Sequence, residues 1–163
     1  MTDLPATVEI REEGPREGFQ IEPGPIPTDR KVALVAALAA TGLKQIQVCS
    51  FVSAKLVPGW ADAEAVVAAV APPPGVAFTA LWFNDKGLAR ALAFRDKLKL
   101  YGSISFAASE AFSRKNLNRD RDGQVAAMRT LTRTHQDAGV SVTRISIQAV
   151  SYTHLRAHET GRN

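Results

Sequence analysis

Segments with the composition of β-strands alternate along this chain with segments whose apolar residues recur at helical spacing. Residues 45–50 and 76–83 are rich in apolar and β-branched side chains, whereas Val32, Val35 and Ala39 recur at helical spacing. The predicted strands are 6–10, 45–50, 76–83, 99–106 and 141–149, and the predicted helices are 29–40, 61–70, 85–96 and 122–138. Strands that alternate with helices of about 10–15 residues predict βαβ units and a parallel sheet.

Two α/β architectures fit this alternation. A doubly wound sheet is complete with about five strands, whereas a (β/α)₈ barrel needs roughly 250 residues. A chain of 163 residues would therefore hold only about the first four to five β/α units of a barrel. Periodicity alone slightly favours the doubly wound fold and leaves both architectures open.

Composition and charge limit the classes of function that the chain can have. The chain is 45% hydrophobic and 22% charged, and no apolar run reaches the roughly 18 residues of a membrane span. Its N-terminus lacks the features of a signal peptide, so we expect a cytoplasmic protein without a membrane partner. The net charge is +4, but basic and acidic residues are mixed, which favours a solvated surface over a nucleic-acid site.

Two single residues invite a functional interpretation. Cys49 is the only cysteine and lies in an apolar run, where a buried structural cysteine is more common than a nucleophile. His135 falls within the last predicted helix and is expected on the surface. Neither residue is a predicted catalytic group.

The loops that follow the predicted strands are rich in polar groups, and in both architectures such loops form the functional face. In the first loop Arg16 and Glu17 are adjacent. A carboxylate there can hold a divalent cation, and a guanidinium can stabilise an enolate oxygen. From spacing alone, a solvated ion pair is the more common interpretation.

Three of these loops resemble signatures of one family. Residues 14–20, GPREGFQ, are similar to the GPRDGLQ motif of hydroxymethylglutaryl-CoA lyases. Residues 50–58, SFVSAKLVP, resemble their SFVSPKWVP, and residues 107–116, AASEAFSRKN, resemble AASELFTKKN. Residues 84–87 are similar to the family's short loop after strand 3, and the resemblance spans roughly residues 6–149.

The resemblance implies a TIM barrel, here the first four to five β/α units within residues 1–149, from the superfamily of metal-dependent lyases and Claisen-condensing enzymes. Its lyases cleave 3-hydroxy-3-methylglutaryl-CoA, an acyl-CoA substrate, to acetyl-CoA and acetoacetate with Mg²⁺ or Mn²⁺, and intact members are expected to be homo-oligomers. By position Arg16 would be the catalytic arginine and Glu17 a metal ligand. The implied substrate-binding residues are Gln20, Gln47, Ser50, Asn84 and Ser109.

The chain departs from the family pattern at both charged positions of the site. Glu17 stands where the family has Asp, and Gln47 stands where it has a glutamate that positions the arginine. The family's His-x-His pair and asparagine ligand have no counterpart here, so the metal site is incomplete and we expect the chain as written to be inactive. A related 3-hydroxyacyl-CoA substrate, a condensing acyltransferase of the isopropylmalate or citramalate synthase type, and a non-catalytic fragment remain alternatives.

The last segment, residues 150–163, does not continue the β/α pattern. It is polar, includes His154 and His158, and resembles a translated sequencing-library adapter. We expect a foreign or disordered tail. The two histidines have the i, i+4 spacing of a helical metal site, but Glu159 follows the second histidine, so the order is not H-E-x-x-H, and nothing in the sequence marks a stable helix around them.

Overall fold

A computed structural model describes residues 4–22 and 24–148. The chain divides into two compact units, with the boundary between Leu100 and Tyr101. This boundary falls inside the predicted 1–149 barrel region, and the predicted tail, 150–163, lies outside the described residues. No helix in the described ranges is long and apolar enough to cross a membrane.

The first unit is a parallel sheet with helices in the connections between its strands. Its elements are β1 Arg11–Glu12, α1 Gly14–Ile21, α2 Thr28–Ala39, β2 Gln45–Ser50, a 3₁₀ turn Pro58–Trp60, α3 Ala63–Ala69, β3 Ala77–Leu81 and α4 Asp85–Leu92. The strand order is β1-β2-β3, and both pairings are parallel. The α/β class with parallel strands is therefore confirmed.

The second unit is a smaller pair of parallel strands, β4 Gly102–Ala107 and β5 Val142–Gln148, connected by α5 Glu110–Leu117 and α6 Arg121–Asp137. Within it, the side-chain amide of Gln124 pairs with the backbone of Ala107, accepting from its N–H at 2.9 Å and donating to its carbonyl at 3.3 Å. The sequence interpretation of His135 is wrong. This histidine is fully buried, and its Nδ1 lies 2.6 Å from the carbonyl oxygen of Leu131.

The core of the first unit forms around β2, which lies between the other two strands. Ile46, Val48 and Cys49 are completely buried, as is typical of a parallel strand covered on both faces. The predicted strand 45–50 is confirmed residue for residue. The helix predicted over 29–40 is observed as α2, in which Val35 and Ala39 are buried.

Two predictions near the N-terminus are wrong. Residues 6–10 are not a strand, and β1 is only the two residues that pair with Gln45 and Ile46. The predicted loop 14–20 is helix α1, since Pro15 has the backbone angle of a first helical turn and Phe19 packs edge-on against Trp60 at 5.8 Å. A helix of eight residues is too short to form by itself, so such contacts hold it in place.

The loop predicted after the fourth strand, which contains residues 107–116, is also partly helical, because Ser109 caps α5. Its Oγ accepts a hydrogen bond from the N–H of Phe112 at 3.3 Å. A serine at this position satisfies a backbone donor that the first helical turn leaves without a partner.

The Pro58–Trp60 turn packs directly on the backbone of α1. A Cβ added to Gly59 would lie 2.3 Å from the carbonyl oxygen of Phe19, closer than any real Cβ contact. Only glycine allows this approach.

We predict that Gly59→Ala separates α1 from the turn and lowers the free energy of unfolding by about 1–3 kcal/mol, as overpacking does. The matched control is Gly18→Ala in α1, where an added Cβ meets nothing within 4 Å. The control should be neutral or stabilising by up to about 1 kcal/mol, because alanine favours helix. Urea unfolding of the wild type, Gly59→Ala and Gly18→Ala measures these changes, and equal unfolding midpoints for all three would contradict the prediction.

Candidate active site

Three predicted site residues of the first unit follow neighbouring parallel strands. Arg16 lies in the helix after β1, Ser50 ends β2, and Asn84 follows β3. Because the carboxyl ends of parallel strands meet at one edge of a sheet, these residues belong to the same edge. Ser109 lies in the second unit, and its membership of the same site stays a prediction.

Arg16 is the centre of the polar contacts at this edge. Its side chain is buried, and its Nε donates to Oε1 of Gln47 at 2.7 Å. One terminal nitrogen, Nη2, contacts Oε2 of Glu13 at 2.9 Å, and the other, Nη1, forms an ion pair with Glu17. Gln47 therefore still orients the arginine through its amide oxygen, and Glu13 provides a carboxylate partner that the sequence analysis did not identify.

A β-bulge in β2 decides which of its side chains share a face of the sheet with Gln47. Gln47 pairs with Thr79 while Cys49 pairs with Ala80, so Val48 is an extra residue in the strand. Side chains alternate along a strand, and one extra residue shifts the alternation. Gln47, opposite Thr79, and Ser50, opposite Leu81, therefore share one face of the sheet.

The hydroxyl of Ser50 is the exception to an otherwise satisfied core. Its Oγ is buried and has no hydrogen-bond partner among the described residues. A buried polar group without a partner is costly and needs an explanation. At the carboxyl end of β2, on the face that also carries Gln47, a ligand oxygen is a fitting partner.

The described residues do not by themselves fit a divalent cation. In residues 4–22 and 24–148, no three His, Cys, Asp or Glu side chains are grouped as metal ligands. One oxygen of Glu17 contacts Arg16, and the other accepts from Nε2 of Gln20 at 2.9 Å. Magnesium prefers octahedral oxygen coordination, and one engaged carboxylate does not provide it.

Asn84 has a defined structural role. Its Oδ1 caps α4 by accepting from the N–H of Gly87 at 2.9 Å. A Cβ on Gly87 would lie 2.8 Å from the carbonyl oxygen of Phe51, so the start of α4 contacts the loop after β2. The cap thus fixes one side of the candidate site, and substrate binding by Asn84 stays a prediction.

An ion pair between buried Lys31 and partly exposed Asp62 joins α2 to the segment before α3. Lys31 is 2% exposed, and its Nζ donates to the carbonyl oxygen of Gly59 at 2.6 Å and to Oδ1 of Asp62 at 2.5 Å. The hydroxyl of Thr28, the first residue of α2, donates to Oδ2 of Asp62 at 2.6 Å. Burial raises the pKa of Asp62, but the bonds from Lys31 and Thr28 outweigh it and hold the pKa below its ordinary value.

A second ion pair holds the loop after β2. Arg90 of α4 binds Glu64 of α3, donates from Nη1 to the carbonyl oxygen of Val52 at 2.9 Å, and lies 5.2 Å from the ring centre of Phe51. The bonds from Arg90 lower the pKa of Glu64. Burial, and then the charge of Glu64, raise the pKa of the Cys49 thiol, which agrees with a structural cysteine.

Two residues that the sequence analysis missed, Lys31 and Glu13, have sequence positions that indicate their contacts. Lys31 stands in the stripe of α2 that includes buried Val35 and Ala39, and a lysine at such a position indicates a buried partner. Glu13 precedes Arg16 by three residues, the spacing of an ion pair in a helix. That signal was hidden because α1 was interpreted as a loop.

Comparison with known proteins links this site to one family. No family model matches the chain. The cytoplasmic 3-hydroxy-3-methylglutaryl-CoA lyase of Rattus norvegicus is 41% identical over 119 residues, which cover 72% of this chain and 34% of that protein. The 3-hydroxy-3-isohexenylglutaryl-CoA/hydroxymethylglutaryl-CoA lyase of Pseudomonas aeruginosa is 44% identical over 116 residues, which cover 71% of this chain and 38% of that protein.

Solved structures agree with the sequence relatives. A hydroxymethylglutaryl-CoA lyase from Pseudomonas aeruginosa matches with a TM-score of 0.78 at 38% identity, over 88% of this chain and 47% of that one. An HMG-CoA lyase from Acinetobacter baumannii, in complex with coenzyme A and 3-methylmalate, matches with a TM-score of 0.74 at 26% identity, over 90% of this chain and 47% of that one.

Fold and site together define an α/β protein with polar groups at the carboxyl ends of parallel strands. With these relatives, the chain belongs to the hydroxymethylglutaryl-CoA lyase family. It spans 34% to 38% of the length of the two relatives described.

The lowered pKa of Asp62 predicts a defined acid sensitivity. A carboxyl group whose pKa is lowered by folding stabilises the protein above its unfolded pKa of about 3.9, and this contribution is lost as the pH falls through the lower folded pKa. We expect Asp62→Asn to reduce the slope of melting temperature against pH between about pH 5 and pH 2. The exposed Asp96 offers the control Asp96→Asn, which should keep the wild-type slope. An unchanged slope in Asp62→Asn would contradict the prediction.

Proposed function

We propose that this chain is part of a carbon–carbon lyase that cleaves 3-hydroxy-3-methylglutaryl-CoA, or a related 3-hydroxyacyl-CoA, to acetyl-CoA and a keto acid. The observation that carries the proposal is the buried guanidinium of Arg16, fixed by Gln47 at the carboxyl end of the parallel strands. The relatives are named lyases, which favours cleavage over the condensing acyltransferase alternative. The 163-residue chain alone is proposed to lack turnover, because the family's further ligands have no counterpart in it.

In this proposal Arg16 stabilises the enolate that forms on the thioester fragment when the carbon–carbon bond breaks. A guanidinium has five N–H donors, and Nε with one N–H on each terminal nitrogen accounts for the contacts to Gln47, Glu13 and Glu17. One N–H on each terminal nitrogen is then left for an oxyanion. A donor fixed before the reaction stabilises developing charge more effectively than one that must reorient.

The metal stays a proposal for the whole protein. Mg²⁺ or Mn²⁺ would lower the pKa of the substrate hydroxyl, and Glu17 would contribute one carboxylate after release from Arg16. The described residues lack a complete ligand set, so Glu17 alone does not define the ion.

The wider architecture also stays a proposal. We propose that the parallel β/α units form the first part of a TIM barrel, as their similarity to solved lyases supports. Acyl-CoA as substrate is supported by the lyase that is bound to coenzyme A. Homo-oligomerisation of the whole protein and a cytoplasmic location are further proposals, and the relatives include both cytoplasmic and mitochondrial lyases.

The proposal predicts that Arg16→Ala in the complete protein lowers kcat for 3-hydroxy-3-methylglutaryl-CoA cleavage at least about a hundredfold, the usual effect of losing an oxyanion donor. The control is Arg11→Ala, because the side chain of Arg11 is largely exposed and forms an ion pair with the exposed Glu9. Acetyl-CoA release is measured, with circular dichroism to confirm folding. Near wild-type turnover in Arg16→Ala, or acetyl-CoA release by the 163-residue chain alone, would contradict the proposal.

The unpaired hydroxyl of Ser50 gives a prediction in which stability and activity change in opposite directions. Ser50→Ala removes a buried polar atom without a partner, so we expect the chain to be as stable as wild type or up to about 1 kcal/mol more stable. In the complete protein the same change should lower kcat/KM about tenfold if the hydroxyl binds substrate. The exposed Ser53 provides the control Ser53→Ala, expected to change neither value. A destabilised Ser50→Ala with normal kcat/KM would show that the hydroxyl is purely structural.

A further inference from the structure

We propose that Lys31 is a positioning residue for Arg16, acting through Gly59 and Trp60. Its buried ammonium fixes the Pro58–Trp60 turn, and the indole of Trp60 fixes the backbone of Arg16. The proposal deepens the function given above and rests on the role assigned to Arg16. It adds Lys31, Asp62 and Trp60 to the residues on which the site depends.

The first step of the coupling is the position of the ammonium group. The ammonium group of Lys31, a residue of α2, donates to the carbonyl oxygen of Gly59 in the turn and to the carboxylate of Asp62 just before α3. Its Nζ also lies 4.9 Å from the ring centre of Trp60 and 5.9 Å from that of Phe19. A desolvated ammonium needs such partners, so the turn and the lysine hold each other in one arrangement.

The second step is the contact between the turn and α1. The indole Nε1 of Trp60 donates to the carbonyl oxygen of Arg16 at 3.1 Å, and Trp60 is fully buried. Gly59 packs against the carbonyl of Phe19, one turn further along the same helix. The backbone of Arg16 is thus held from one side by Trp60, while Gln47 holds its side chain.

An apolar residue at position 31 would complete the buried stripe of α2 as well as lysine does. It would not bind the Gly59 carbonyl or pair with Asp62, and the turn would lose its only side-chain bond to α2 among the described contacts. The lysine therefore specifies the position of the turn, and through it the position of α1. Small displacements of a reacting group carry large kinetic penalties, so this precision serves the arginine.

The test measures the guanidinium itself, so it does not depend on turnover. In the ¹⁵N-labelled 163-residue chain, solvent exchange of the Arg16 Nε–H and of the Trp60 indole N–H is followed by NMR. We expect Lys31→Met to accelerate both at least about tenfold, because local opening exposes these bonds to water. Trp60→Phe, which keeps an aromatic ring beside Lys31 but deletes the indole donor, should accelerate exchange at Arg16 alone.

Arg90 is the internal control, because its Nε–H is held by Glu64 on other helices of the same unit. A positioning role leaves the exchange of the Arg90 Nε–H unchanged in both variants. General loosening accelerates exchange at Arg16 and Arg90 together and would overturn the proposal.

The matched control variant is Lys97→Met, which removes another lysine, one bonded to carbonyl groups of α3, and should leave exchange at Arg16 unchanged. If Lys31→Met does not fold, Trp60→Phe decides, and an unchanged Arg16 signal there would refute the coupling. Loss of the proposed lyase activity would not alter this outcome.

Discussion

The hydrogen bond between Arg16 and Gln47 joins a helix that cannot form alone to the strand at the centre of the sheet. Helices shorter than about 12–15 residues are marginal in water, so the position of α1 depends on its tertiary contacts. The guanidinium is nearly desolvated and needs paired acceptors, which Glu13 and Glu17 supply beside Gln47. The same contacts that stabilise the helix therefore orient the guanidinium of Arg16.

The bulge in β2 is the backbone feature that makes this arrangement possible. Without an extra residue at Val48, strict alternation would turn Ser50 to the face opposite Gln47. With it, the two polar side chains share one face, while Cys49 faces the side on which Glu64 and Arg90 act on its thiol. One inserted residue thus places the polar side chains of Gln47 and Ser50 on one face and the thiol of Cys49 on the other.

Much of the fold could be predicted because burial leaves a clear pattern. Residues 45–50 contain the buried apolar residues Ile46, Val48 and Cys49, and their strand was predicted with correct bounds. Helix α1 was missed because a segment rich in glycine and charged residues usually indicates a loop. Its buried side is recognised only from the packing of Phe19 against Trp60 in the structure. The pairing of β1 was equally hidden, since a two-residue strand is too short for periodicity to detect.

The candidate site was predicted unevenly for a related reason. Arg16 and Glu17 lie in the first motif and Gln47 lies in β2, and Arg16 contacts both of the other two side chains. Asn84 and Ser109 lie in the motifs too, yet their oxygens cap α4 and α5. A side chain that starts a helix fixes the loop before it, so a motif can preserve the shape of a site through residues that need not touch its ligand. Lys31 and Trp60 have a similar structural role although they lie outside the motifs. Lys31 bonds to Gly59 next to Trp60, and Trp60 bonds to the backbone of Arg16 in α1.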